Sequence, residues 1–313
     1  MSSAPSGLEK RKAEAAGPVG LVRRDPAWLR ATLIAVAVGF IAIAVVAPLA
    51  NVFTQALANG IGAYFAALRD PDTQHAIKLT LIVAAIVVPL NVVFGIVSAW
   101  ALTRAETPAK TFLTSLVDLP FSVSPVIAGL IFILIFGQHG YIGSWLRAHG
   151  IEVVFALPGI VIATIFVTFP FVTREVMPIL QALGNEEEEA ARMLGASPWQ
   201  TFWHVTLPNI RWGVLYGAIL CNARAMGEFG AVSVVSGKIS GKTDTMPLLV
   251  EKLYNGYAVQ GAFTVASLLA FLALITLALK TVLEWKNREA LRIAAESELT
   301  GDDAAPRLAQ HLA

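Results

Sequence analysis

Cysteine is almost absent: Cys221 is the only one in 313 residues. An intrachain disulfide is therefore excluded, as is a zinc site built from several cysteines. Charge is scarce too. Asp, Glu, Lys and Arg make up 14% of the chain, against about 25% in an ordinary soluble domain. The 23 basic and 22 acidic residues nearly cancel, to a net charge of +1, so nothing argues for a nucleic-acid partner. The histidines His75, His139, His149, His204 and His311 are scattered without a metal-ligand spacing. No nucleophile and base are placed together, which counts against a membrane enzyme. No internal repeat is visible, which counts against a secondary transporter built from paired repeats. The expectation is a chain that is not an enzyme, with no catalytic residues and no metal or cofactor of its own.

What the chain has is apolar length. It is 56% hydrophobic with a mean hydropathy of +0.66, and a span needs about 20 mainly apolar residues. Six stretches qualify: Ala31–Phe53, Ala76–Leu102, Phe112–Gly137, Val153–Val172, Arg211–Val235 and Ala258–Leu283. The fold class expected is an all-α membrane protein with about six transmembrane helices. Pro89, Pro120, Pro125, Pro158 and Pro170 fall inside these stretches, tolerable where neighbouring groups satisfy the freed carbonyls. Residues 1–30 are polar and basic and read as a cytoplasmic tail; a cleaved signal peptide has a shorter basic head and a shorter apolar run. Residues 31–285 form the membrane domain, with a cytoplasmic loop at 173–208, and residues 286–313 a second cytoplasmic tail.

Basic residues set the sidedness. With the amino terminus inside, the inner segments hold Lys10, Arg11, Lys12, Arg23, Arg24, Arg30, Arg104, Lys110, Arg174, Arg192, Lys286, Arg288, Arg292 and Arg307. The outer ones hold Arg69, Arg147, Lys238, Lys242 and Lys252. The positive-inside rule then puts both termini in the cytoplasm.

The loop between the fourth and fifth stretches reads NEEEEAARMLGASPWQTFWHVTLP over residues 185–208. Asn185 suits an N-cap, and four glutamates complement the positive end of a helix. Gly195 can take the left-handed conformation that ends one. Ser197 caps a second helix with Pro198 in its first turn. Trp199, Phe202 and Trp203 then share a face, and Pro208 closes the element. Two short helices with a tight bend are predicted. An amphipathic element resting on lipid is one reading, but anionic inner-leaflet lipids repel glutamates. The other is a docking knob whose aromatics enter a groove on a partner protein.

Glu189-Ala190-Ala191, Gly195 and Val205-Thr206-Leu207-Pro208 stand at the spacing of the EAA motif of ABC importer permeases, with valine in place of isoleucine. The chain resembles that family. Residues 221–236 (CNARAMGEFGAVSVVS), together with REVMPILQALGNEEEEAARMLGASPWQTF and GKISGKTDTMPLLVEKLYNGY, look like the permeases of sulfate/thiosulfate importers, the CysW-like kind in particular. Molybdate and iron permeases share the looser A-R-A-x-G-E-F-G pattern, so a permease for another oxyanion stays open. The resemblance implies a type I importer (MetI-like) permease fold in a bacterial inner membrane. It implies that Glu189, Ala190, Ala191, Gly195, Trp199 and Phe202 couple to an ATPase, and that the chain forms half of a pathway. The implied partners are a second, homologous permease, two ATPase subunits carrying ATP and Mg2+, a periplasmic sulfate-binding protein and membrane lipid.

Asn222, Arg224 and Glu228 lie in the fifth stretch, where a charge at the bilayer centre costs about 2.5–3.5 kcal/mol on insertion scales. Arg224 and Glu228 share a helix face and can pair with each other, or Arg224 can pair across to the second permease. The alternative is that this face lines the pathway and offsets part of an anion's desolvation. Ser122 and Ser124, between Pro120 and Pro125 and near Asp118, can mark a broken helix facing a cavity or an ordinary kink. Gly213, Gly217, Gly227 and Gly230 read as close-packing positions. GKISGKTD imitates a phosphate loop but has three residues where four are required before Gly241-Lys242-Thr243, and no strand precedes it. Lys238 and Lys242 there are solvated, or meet a binding protein.

Overall fold

The computed structural model describes residues 26–104 and 109–300, with side chains through Trp285. Lys10, Arg11, Lys12, Arg23, Arg24, Arg307 and His311 lie outside the described residues, as do residues 1–25 and 301–313 of the expected tails. Among the described residues there is no strand.

Residues to Asn51 and residues from Val52 onward form two units. In the first, α1 (Ala27–Ile41) runs through a π turn at Ala42–Val46 and on into α2 (Ala47–Ala56), a helix that continues past Asn51. Leu33, Ile34, Val36, Val38 and Phe40 on α1 are exposed, the all-round apolar surface of a lipid-facing helix.

The second unit contains α3 (Ile61–Arg69), α4 (Pro71–Arg104), α5 (Lys110–Ser122), α6 (Pro125–Phe136), α7 (Gly143–Ala148) and α8 (Leu157–Leu183). It continues through α9 (Glu186–Met193), α10 (Pro198–Thr201), a π turn at Phe202–Thr206, α11 (Leu207–Met226), α12 (Gly230–Val235), α13 (Met246–Asn255) and α14 (Val259–Thr300).

Among the described residues, four helical runs are long and apolar enough to cross a membrane: Trp28–Ala56, Pro71–Arg104, Leu157–Leu183 and Val259–Trp285. They carry the first, second, fourth and sixth expected stretches. The third is not one straight span. It is the pair α5 and α6, bent by 104°. Pro125 disfavours the helical conformation at the residue before it, and Ser124 sits at ψ 129°, with Val123 at ψ 133°. The fifth, Arg211–Val235, is broken as well. Helix α11 ends at Met226 and α12 starts at Gly230. The fourth starts four residues later than expected and runs eleven residues further, to Leu183. Pro89, Pro120, Pro170 and Pro178 stay inside continuous helices, while Pro125 and Pro158 occupy first turns, where a missing N–H costs nothing.

Three of these helices meet at one side chain. A Cβ on Gly95 of α4 would lie 2.6 Å from Val172 Cβ of α8, and a Cβ on Gly217 of α11 would lie 2.8 Å from Val172 Cα. Asn91 of α4 donates to Thr168 Oγ1 of α8 at 2.6 Å and reaches Cys221 Sγ of α11 at 3.4 Å. Ala99, Val176, Leu180 and Ile210 extend the contact. Gly213 packs against the Glu175 carbonyl and Gly230 against Pro125, as close-packing positions should. Gly227 does not: its nearest neighbour is the Ala223 carbonyl at 3.6 Å. It lies exposed at the α11–α12 break.

Gly95→Ala is expected to destabilise the protein by about 1–3 kcal/mol, and Val172→Ala in the same chain to recover part of that, because the clash is with Val172 side-chain atoms. Gly217→Ala clashes with Val172 backbone and should not be rescued. Thermal unfolding of the detergent-solubilised chain distinguishes the two.

Candidate functional site

The acidic-aromatic segment forms the two short helices its sequence predicts. Glu186, Glu187, Glu188 and Glu189 fill the first turn of α9, where the helix dipole favours negative charge. Gly195 ends it at φ 89°. Its N–H donates to Arg192 O and that of Ala196 to Ala191 O, at 2.9 and 3.0 Å, a Schellman closure. Ser197 and Gln200 form a reciprocal capping box at α10, with Pro198 next to the cap.

Two details differ from expectation. Asn185 makes no cap hydrogen bond; its side-chain oxygen accepts from Arg104 instead, a charge-assisted bond that outcompetes a neutral backbone donor. Pro208 does not close the element. Helix α10 continues through the π turn Phe202–Thr206 into α11. Leu207 N–H reaches back five residues to Phe202 O, widening the turn just where Pro208 has no N–H and its ring would strike the usual carbonyl. The same sequence of events precedes Pro48, where Ala47 N–H bonds Ala42 O.

Outward from this segment point Met193 and Leu194, each 90% exposed, and Trp199, 69% exposed. Trp199, Phe202 and Trp203 contact one another ring to ring, with centroids 5.6–6.0 Å apart. Glu189 and Ala190 are exposed as well. The face is thus a pre-ordered aromatic cluster beside exposed aliphatics and carboxylates.

Inward, a set of residues that sequence reasoning passed over holds the segment in place. Arg104, the last residue of α4, donates to Gly184 O at 2.9 Å and pairs with Glu188 Oε1 at 2.7 Å. Glu188 also accepts from Thr206 Oγ1 at 2.9 Å. Asn209 donates to Glu187. Arg104 entered the sequence reading only as an inner positive charge. The available signal was an arginine ending an apolar span beside an acidic loop.

The pathway candidates divide between two helix breaks. Arg224 Nη1 pairs with Glu228 Oε2 at 2.5 Å within the chain. Glu228 is 2% exposed, and its other oxygen accepts from Ala231 N–H at 2.9 Å, at the start of α12. Asn222 takes a separate contact, to Met226 Sδ at 3.5 Å. Ser122 and Ser124 are exposed at the α5–α6 bend. Asp118, one helical turn earlier, pairs with Arg174 at 2.8 Å. The breaks adjoin: a Cβ on Gly230 would sit 2.8 Å from Pro125 Cβ, and one on Gly129 2.8 Å from Ala231 O.

The segment resembling a phosphate loop follows a helix, α12. Thr243 Oγ1 donates to Ser236 O at 2.7 Å and accepts from Ile239 N–H at 3.0 Å, so the hydroxyl a nucleotide site would use on its metal is internally engaged. Lys238 is not simply solvated, since it pairs with Glu251 at 2.6 Å; Lys242 is exposed. Among the described residues no three His, Cys, Asp or Glu side chains are grouped to hold a metal.

The model of the family "binding-protein-dependent transport system inner membrane component" matches residues 91–288. The chain belongs to that family. It is 53% identical over 255 residues to the "Sulfate transport system permease protein CysW" of Synechocystis, covering 82% of this chain and 92% of that one. It is 48% identical over 271 residues to the protein of the same name in Escherichia coli K12, covering 87% and 93%. Among solved structures it matches a chain of a bacterial ABC transporter involved in import of the acidic polysaccharide alginate. The TM-score is 0.68 at 17% identity, over 89% of this chain and 99% of that one, a likeness of fold. The matched region includes α9, α10 and both helix breaks, so the segment and the broken helices are parts of a membrane transport component that is not itself a catalyst.

Ser197→Ala should cost the segment about 1 kcal/mol, and Gly195→Ala about 1–2 kcal/mol, because φ is positive there. Both should speed amide exchange across residues 190–206 and leave α4 unchanged, as read by hydrogen-exchange mass spectrometry.

Proposed function

We propose that this chain is the permease subunit of an ATP-driven importer of sulfate and thiosulfate, forming half of the transmembrane route. The reading rests on one observation above the others. An exposed aromatic-acidic knob, capped by Ser197 at the start of its second helix and closed after its first by a left-handed glycine, is continuous with the broken helix that carries Arg224. A knob of that stiffness transmits a push where a flexible loop would absorb it. The similarity to sulfate permeases over most of the chain supports the anion.

In this reading Glu189, Ala190, Ala191, Gly195, Trp199 and Phe202 dock into an ATPase subunit, one of two, which binds ATP and Mg2+. A second, homologous permease completes the route, and a periplasmic sulfate-binding protein delivers the anion. The chain lies in a bacterial inner membrane with both termini in the cytoplasm. Arg224, paired with Glu228, and Asn222, Ser122 and Ser124 at the adjoining breaks contribute to the pathway, where discontinuous helices offer polar groups to a cavity. Nucleotide binding favours one docked geometry of the knob and so biases the route toward one side.

Reconstitution with the ATPase, the second permease and the binding protein tests this. Sulfate uptake that requires ATP and is not matched by molybdate or phosphate is the expected result. Uptake independent of the ATPase would overturn the reading, and preference for molybdate would overturn the anion. Trp199→Ala should weaken ATPase association by about 30-fold or more, a typical loss for an aromatic anchor. Arg224→Ala should abolish uptake while the complex still assembles; failure to assemble would assign the pair a structural role alone. A Trp199→Cys chain in a Cys221→Ser background should react with impermeant thiol reagents from the cytoplasmic face.

A further inference from the structure

Four consecutive glutamates open α9, and they do not do the same thing. Glu188 is the buried one, 7% exposed, while Glu186, Glu187 and Glu189 are exposed. The segment attaches to α8 through a hinge, Gly184, at φ 67° and ψ −155°. That conformation is open to glycine, the residue with the most permissive backbone. Arg104 braces this junction. Its guanidinium engages the Gly184 carbonyl, the Asn185 side chain and the Glu188 carboxylate together. The pair is shielded, with side-chain exposures of 15% and 9%, and Leu180, Leu183 and Val205 line the pocket around it. Arg104 belongs to neither arm of the hinge. It is the terminal residue of α4, 80 residues away in the chain.

We propose that Arg104 is a positioning residue for coupling: it clamps the Gly184 hinge and delivers displacement of α9 into α4. The knob then has two mechanical outputs. One is covalent, through the π turn into α11. The other is the Arg104 clamp into α4, and both helices converge again at Val172 through Gly95 and Gly217. With both routes intact, α4, α8 and α11 receive the push as one body. With the clamp gone, α9 swings on Gly184 and part of the push is lost before it reaches α4. The planar fork of arginine spans three acceptors; an ammonium group in its place keeps the charge but not the span. The proposal rests on the coupling role given to the knob above.

The test uses the assembled, reconstituted complex with Arg104→Lys, Arg104→Gln and Glu188→Gln variants. The primary readout is sulfate imported per ATP hydrolysed, which a simple loss of folded complex does not change. Arg104→Gln should lower that ratio at least about fivefold, the scale of a modest coupling energy. Arg104→Lys should fall between it and the parent, and Glu188→Gln should resemble Arg104→Gln. The Arg104→Gln/Glu188→Gln double variant should be no worse than the worse single one. Amide exchange over residues 184–194 should accelerate in each. If Arg104→Gln does not assemble, the Arg104→Lys and Glu188→Gln comparison decides. A ratio unchanged across the variants overturns the proposal, as does a lowered ratio with exchange unchanged. If the parent complex imports sulfate without ATP, the coupling reading fails instead, and the exchange measurement still shows whether the clamp holds the hinge.

Discussion

Lipid tails are as apolar as leucine, so helices inside a bilayer gain little from the hydrophobic effect and are held by close packing and internal hydrogen bonds. In this chain both converge at Val172. Its backbone is approached by Gly217 from one side and its side chain by Gly95 from the other, while Asn91 ties the same three helices by hydrogen bonds to Thr168 and Cys221. A Cβ at either glycine would meet Val172 at less than 3 Å and force these helices to shift. The small-residue contact sets the spacing of the helices that the proposed clamp connects.

The knob illustrates how short elements gain rigidity without a core. Helices of eight and four residues are far below the length that is stable alone in water. Apart from the uncapped Asn185, the ends of this pair are stabilised locally. The carboxylates face the amino end of α9, the Schellman closure takes its last carbonyls, and the Ser197–Gln200 box takes the first donors of α10. Fusion to α11 through the π turn means the second helix has no free carboxyl end at all. The rings of Trp199, Phe202 and Trp203 pack on each other and so stay ordered while half exposed. Ordering before docking lowers the entropy cost of binding.

Legibility in the sequence followed the range of the interactions. Gly195, Ser197 and Pro198 act within a few residues of themselves, and their roles were readable from spacing alone. The apolar runs were readable for the same reason. Asn185 and Pro208 were misread because a distant group or a less common hydrogen-bond register overrode the local preference: Arg104 captured the asparagine, and the π turn let the helix pass the proline. The bend at Ser124 carried a local sign in Pro125, but its size depends on α6 packing against α12 through Gly129 and Ala231. Arg104 and Glu188 were out of reach, since nothing in a run of four glutamates says which one turns inward. The helical phase of α9 relative to α4 decides that, and phase is a property of the packed structure.

In the proposed pathway, the pairing of Arg224 with Glu228 bears on what the arginine can do. A lone guanidinium in a low-dielectric channel would attract a divalent anion strongly and hold it, and conduction needs binding weak enough for release. Glu228 is buried and held from behind by the Ala231 N–H, which opposes its following Arg224 if the arginine turns toward an anion. The guanidinium, 35% exposed against 1% for its partner, is the member of the pair free to do so. An anion at this break would meet a cation already largely neutralised, and any gain from contact would be offset by loosening of the ion pair. Such an exchange lowers the barrier to passage without creating a deep well. It also ties the arginine's position to the geometry of the α11–α12 break, and α11 is the helix that the knob extends into.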